Sequence, residues 1–134
     1  MPECVRCNDF TDNKADKEYH YCDSCLDRFH EVTQSGVIVE QTGDQYTITV
    51  TNQNTELDGG REKSQVDALA RAKRICDEYG VEGLFKYERT GSRWLLDEYL
   101  EAHQSVSQDV HERLRRAPDL DSDGFLDRVR SLFE

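Results

Sequence analysis

The sequence predicts an α+β protein built in two parts. Two patterns carry that prediction. Four of the five cysteines fall in the first 25 residues as two Cys-x-x-Cys pairs, Cys4/Cys7 and Cys22/Cys25, with fourteen residues between Cys7 and Cys22. Beyond them, a segment that alternates with strand period is followed by one that recurs with helix period. The expected organisation is a four-cysteine metal module over residues 1–35 and a small α+β domain over 36–134. That domain is expected to hold an antiparallel β-hairpin or three-stranded sheet and three to four helices, the last of them C-terminal.

A Cys-x-x-Cys turn lets two thiolates point at one ion, and two such turns complete a tetrahedron of soft ligands, which suits zinc. Three other readings use the same cysteines. Disulfides need an oxidising compartment. The start Met1-Pro2-Glu3-Cys4 offers no apolar leader, so a cytoplasmic setting with reduced thiols is expected. A thioredoxin-like redox pair needs one Cys-x-x-Cys beside a βαβ unit rather than two matched pairs. An iron–sulfur cluster also uses four thiolates and is the alternative to zinc. Catalytic zinc keeps an open coordination position, whereas four cysteines close the shell, so the metal is expected to be structural. His20 and His30 flank the second pair and are read as surface or supporting side chains.

With Cys4 and Cys7 on a knuckle and Cys22 and Cys25 opening a helix, residues 1–35 resemble treble-clef zinc fingers. The resemblance implies a short hairpin turning at Thr11–Ala15, with Glu18–Tyr21 as its second arm. It also implies a helix to about Thr33, with Leu26 and Phe29 on one face, closed by Gly36. The family often has glycine after the second cysteine. Here Asn8 stands there, a residue that tolerates the left-handed conformation. A zinc ribbon, with a hairpin in place of the helix, is the alternative.

The chain of 134 residues carries a formal charge of -11, its mean hydropathy is -0.85, and arginine outnumbers lysine twelve to five. This composition resembles that of cytosolic proteins of extreme halophiles, in which acidic surfaces stay hydrated in concentrated salt. No apolar run is long enough to span a membrane. Net acidity and high salt both weaken phosphate contacts, so the charge disfavours nucleic acid.

In the second part, Val37–Gln41 and Gln45–Thr51 flank the turn Thr42-Gly43-Asp44, with Tyr46, Ile48 and Val50 on one face, and read as an antiparallel hairpin. Asn52–Arg61, with Gly59-Gly60, reads as a loop. Ser64 caps a helix with Asp67 three residues on. Val66, Leu69, Ala72, Cys76 and Tyr79 form its apolar stripe, and Gly80 stops it. Cys76 is read as a small core hydrophobe. Leu84–Arg89 reads as a third strand. A helix is expected from about Arg93 to Gln104, with pairing of Arg93–Asp97 as a strand the alternative. Another helix is expected from Ser105 to a point before Pro118.

Asp119–Asp127 resembles the start of an EF-hand loop, with acids at positions 1, 3 and 5 and Gly124 at 6. Position 12 is Arg130 where a bidentate glutamate belongs. The expectation is a turn at Pro118 and a capped helix over Gly124–Phe133 without a calcium site.

No catalytic motif is present, and an enzyme is not expected. The function expected is that of a zinc-binding adaptor or regulator working through contacts with a protein partner or a second copy of the chain. The alternative is a transcriptional-type nucleic-acid-binding regulator. For it the contact residues would be Arg113, Arg115, Arg116, Arg128 and Arg130, which otherwise complement helix dipoles.

Overall fold

The computed structural model describes residues 3–14, 19–53, 55–87, 89–116 and 129–132. Its elements in chain order are α1 (Asp23–Gln34), β1 (Gly36–Thr42), β2 (Gln45–Asn52), β3 (Thr55–Glu62), α2 (Gln65–Tyr79), β4 (Glu82–Tyr87), β5 (Arg93–Leu95), α3 (Leu96–Ala102) and α4 (Gln104–Arg116). Residues 129–132 add a helical turn. The fold is α+β, but the sheet is five-stranded and mixed, with order β3-β2-β1-β4-β5. The expectation of a hairpin with one further strand is therefore too small.

The hairpin forms where the alternation places it. Val37 pairs with Val50 and Thr42 with Gln45 across β1 and β2, and Gly43 takes the turn with φ 61°. The added strands come from two segments whose local sequence points elsewhere. Thr55–Glu62, which takes up most of the loop expected over Asn52–Arg61, pairs antiparallel with β2 through a register shift between Thr47 and Thr49. A Cβ at Gly59 would lie 2.8 Å from both the Ile48 side chain and its carbonyl oxygen, so the glycine is what lets the strands close at this irregularity. Arg93–Leu95 pairs antiparallel with Leu84–Lys86, and α3 starts only at Leu96. The strand alternative for this stretch is thus the one the chain adopts, at its first three residues. β4 lies parallel to β1 because α2 carries the chain back across the sheet.

The sheet separates two apolar layers. On one face Val37, Val39, Ile48, Val50 and Phe85 pack against α2, α3, α4 and the turn at Val129. Helix α2 follows its sequence signals: the Ser64 hydroxyl accepts from Asp67 N–H, and Gly80 caps the other end with φ 67°. Its buried residues are Ala68, Leu69, Ala70, Ala72 and Ile75, wider than one stripe because the sheet covers one side and α4 the other. Val129 is buried in this layer and Leu132 packs on it, whereas the EF-hand-like stretch Asp119–Asp127 and Arg128 lie outside the described residues.

On the other face Ile38, Leu84 and Leu95 meet Phe29, Val32, Tyr21 and Leu26 of the cysteine module. The chain passes from α1 into β1 with a single residue, Ser35, between them. Gly36 is not the helix cap: Ser35 takes that position in an extended conformation. Instead, a Cβ at Gly36 would lie 2.6 Å from the Glu82 carbonyl and 2.8 Å from the Val32 carbonyl, so glycine is required for α1 and β4 to approach here. The buried Thr51 hydroxyl donates to the Thr33 carbonyl at 2.9 Å and accepts from Gly36 N–H at 3.2 Å, binding helix end to sheet.

Candidate metal centre

Cys4 and Cys7 sit on a tight turn. Asn8 N–H donates to the Cys4 carbonyl at 2.8 Å with Asn8 at φ 65°, the left-handed conformation its residue type suits. Cys4 N–H donates to the Asp9 carbonyl, Val5 N–H donates to the His20 carbonyl, and Glu3 bridges Phe10, which pins the turn against its neighbours. Ala15–Glu18, within the expected hairpin, lie outside the described residues. Cys22 is the N-cap of α1, and Cys25 lies in its first turn. Cys22 makes no side-chain cap bond; its sulfur faces the other cysteines instead.

All four Sγ atoms lie within 4.8 Å of one another, with Cys4–Cys25 at 3.6 Å and Cys7–Cys22 at 3.5 Å. Four thiolates bonded to one ion at about 2.3 Å stand about 3.8 Å apart, so the cluster matches a single tetrahedral ion. A multi-iron cluster spreads its thiolates around a wider cage, which these separations do not provide. The four cysteines can hold a metal ion.

Without an ion, four thiols this close cannot all carry charge. The Cys4 thiol is drawn down to about 6: burial opposes ionisation, but backbone N–H groups of Cys22, Cys7 and Arg6 outweigh it. Cys7 goes the other way, to about 12, because its thiol neighbours outweigh the Asp9 N–H that favours its thiolate. Burial raises Cys25. Cys4 gives up its proton readily, whereas Cys7 and Cys25 hold theirs until a cation balances the charge.

Arg6 joins the cluster through contacts that spacing alone does not reveal. Its Nη1 donates to Cys25 Sγ at 3.3 Å, while Nε and Nη2 form a fork on Glu98 of α3 at 3.0 and 2.6 Å. The guanidinium thus offsets thiolate charge and fastens the module to the helical layer of the sheet beyond it. The Glu98 pair raises the Arg6 pKa still further. Two more ties cross the same boundary. Arg93 N–H donates to the Tyr21 hydroxyl at 2.8 Å, and Arg28 pairs with Glu82.

The histidines are not ligands in this arrangement. His20 Nδ1 lies 3.1 Å from the Asn13 carbonyl, and His30 Nε2 lies 2.9 Å from Gln34 Nε2 on the exposed side of α1. Cys76 is half-buried, and burial pushes its thiol up to about 12, as suits a packing residue. Arg113 pairs with Asp67 of α2 at 2.8 Å, Arg115 and Arg116 are exposed at the end of α4, Arg130 is exposed on the C-terminal turn, and Arg128 is outside the described residues.

No protein-family model, curated protein or solved structure matches the chain. Among the described residues no helix is long and apolar enough to cross a membrane.

Proposed function

We propose that the protein is a small adaptor or regulator whose structural zinc holds a treble-clef-like module on the back of a mixed sheet, and that it acts by binding another protein. Zinc suits four thiolates at single-ion separations better than any harder cation, and the closed donor set leaves no position for substrate. The knuckle followed by ligands on a helix N-terminus supports the treble-clef form over the ribbon.

One observation carries the protein-binding half. Among the described residues Val5 and Phe10 are the exposed large hydrophobics, at 48% and 57% exposure, and both lie on the metal module. The metal holds these two apolar side chains in water on a rigid turn, which is where a partner surface gains most. The nucleic-acid alternative lacks such a focus, since Arg113 is engaged with Asp67.

Affinity capture from the native host, in concentrated potassium chloride and after nuclease treatment, tests this reading. A partner retained by the wild type and lost with Phe10→Asp supports it. Partners that vanish with nuclease and ignore Phe10→Asp contradict it.

A further inference from the structure

Between the knuckle, the β4–β5 turn and α3 lies a cavity of about 480 Å³, within the size range of small-molecule sites. Tyr21, Tyr87, Trp94 and Tyr99 form much of its wall, and each has its polar tip bound within the protein. The Trp94 indole N–H donates to Ser92 Oγ at 3.1 Å, and the Tyr21 hydroxyl accepts from Arg93 N–H at 2.8 Å. The Tyr87 and Tyr99 hydroxyls meet at 3.2 Å, and Gln65 donates to Tyr99 at 2.6 Å. What these rings offer the cavity is therefore carbon and π surface.

Three rings of the wall already stand in the arrangements that aromatic side chains favour. His103 is stacked on Tyr99, with centroids 4.1 Å and planes 22° apart. Trp94 stands edge-on to both, 5.8 Å from Tyr99 and 5.6 Å from His103. A further flat ring extends this pattern and gains attraction that an aliphatic group of the same area does not.

The charged residues described in the wall are Arg6, Arg93 and Glu98, and each is engaged within the protein. Both Glu98 oxygens accept from Arg6, which also donates to Cys25 Sγ. The Arg93 guanidinium lies over the Tyr21 and Phe29 rings, 5.9 and 6.0 Å from their centroids. A charged guest would have to leave water for a wall of carbon and compete with these contacts for its partner. An uncharged ring bears neither cost.

We propose that this cavity binds a small uncharged aromatic molecule, with its ring against Trp94, Tyr99 and His103.

Trp94 is the only tryptophan in the chain, so its fluorescence, excited where a benzene ring does not absorb, reports directly on the cavity. The metal-loaded protein is titrated with four probes of similar size: benzyl alcohol, cyclohexylmethanol, benzoate and benzylammonium. Benzyl alcohol is expected to give a saturable change, half-complete at about 1 mM. Cyclohexylmethanol is expected to bind about fivefold more weakly for want of the ring. Each ion is expected to bind about tenfold more weakly than the alcohol, because it must shed its hydration. His103→Ala removes one ring from the wall and is expected to weaken benzyl alcohol about fivefold, whereas His103→Phe restores a ring and is expected to bind it as the wild type does. The comparisons among probes on the wild type do not depend on how any variant folds. The proposal is overturned if benzyl alcohol gives no saturable change, if either ion binds more tightly than the alcohol, if cyclohexylmethanol binds as tightly, or if His103→Ala leaves the affinity unchanged.

Discussion

Arg6 and Glu98 stand 92 residues apart in sequence and meet through two parallel hydrogen bonds, while the third nitrogen of the same guanidinium reaches Cys25 Sγ. Arg6 thereby belongs at once to the metal cluster and to the contact between module and sheet. Its side chain is 26% exposed and that of Glu98 40%, so the pair alone contributes up to about 1 kcal/mol. Arg6→Ala is expected to lower stability by about that much and to weaken metal retention about tenfold, as loss of a supporting hydrogen bond does at other metal sites. Competition with a chelator and urea unfolding measure the two effects. Arg6→Lys restores charge without the fork and should recover only part of the retention. Unchanged retention in Arg6→Ala would show that the bond to sulfur is incidental.

Metal removal should act unevenly along the chain. The knuckle at 3–14 and the first turn of α1 depend on the ion, because the thiols cannot share their charge without it. Phe29 and Val32 are buried against Ile38 and Leu84, and each fully buried side chain of this kind contributes about 1.5–3 kcal/mol. The second half of α1 is therefore expected to stay docked when the metal is gone. Amide exchange with and without chelator should show protection lost at 3–14 and 22–26 and kept in β1, β2 and α2. Loss of protection throughout the sheet would mean that the metal controls the whole fold.

Two glycines separate crowding from backbone strain. Gly36→Ala forces a Cβ against the Glu82 and Val32 carbonyls, neither of which can rotate away, and is expected to cost about 2–3 kcal/mol. Gly43 has φ 61° with nothing within 4 Å of a Cβ, so Gly43→Ala meets only the left-handed penalty, about 1 kcal/mol. Thermal unfolding of both variants should rank Gly36→Ala as the less stable. The opposite order would place the tight approach of α1 to β4 in error.

How much of this was legible in the sequence depends on the range of the interactions involved. Asn8, Ser64 and Gly80 act within a few residues of themselves, and each takes the conformation its chemistry favours. The cysteine spacing brought the four thiols together for the same reason. Gly59-Gly60 misled because glycine lowers strand propensity, whereas here its missing Cβ is what β2 requires of β3 at the bulge. β5 is three residues long and is held by β4 alone, a pairing that no local pattern encodes. Arg6 and the aromatic cavity were invisible for the strongest version of this reason: Arg6, Tyr21, Tyr87, Trp94 and Glu98 come together only once the module has docked.

Alkaline pH should destabilise the fold through groups that it keeps protonated. Burial raises the phenols of Tyr21, Tyr46 and Tyr87 above their usual value of 10.0 and carries the Cys76 thiol from 9.0 to about 12. Each folded-state value exceeds the unfolded one, so above pH 9 the folded state binds more protons and stability falls as pH rises. The urea midpoint is expected to decline steadily from about pH 9 towards 12. A midpoint unchanged up to pH 11 would mean that these side chains are more solvated than the fold implies.

The most direct test is the metal content of protein purified without added metal, with its reactive thiols counted in the native state. One zinc per chain is expected, with Cys4, Cys7, Cys22 and Cys25 blocked by the ion and Cys76 protected by burial, so that no thiol reacts rapidly. Chelation should then release four. Protein that is metal-free yet folded at 3–14 and 19–34, with four thiols titrating freely from the outset, would contradict the account. Iron in place of zinc would keep the site and overturn the choice of ion.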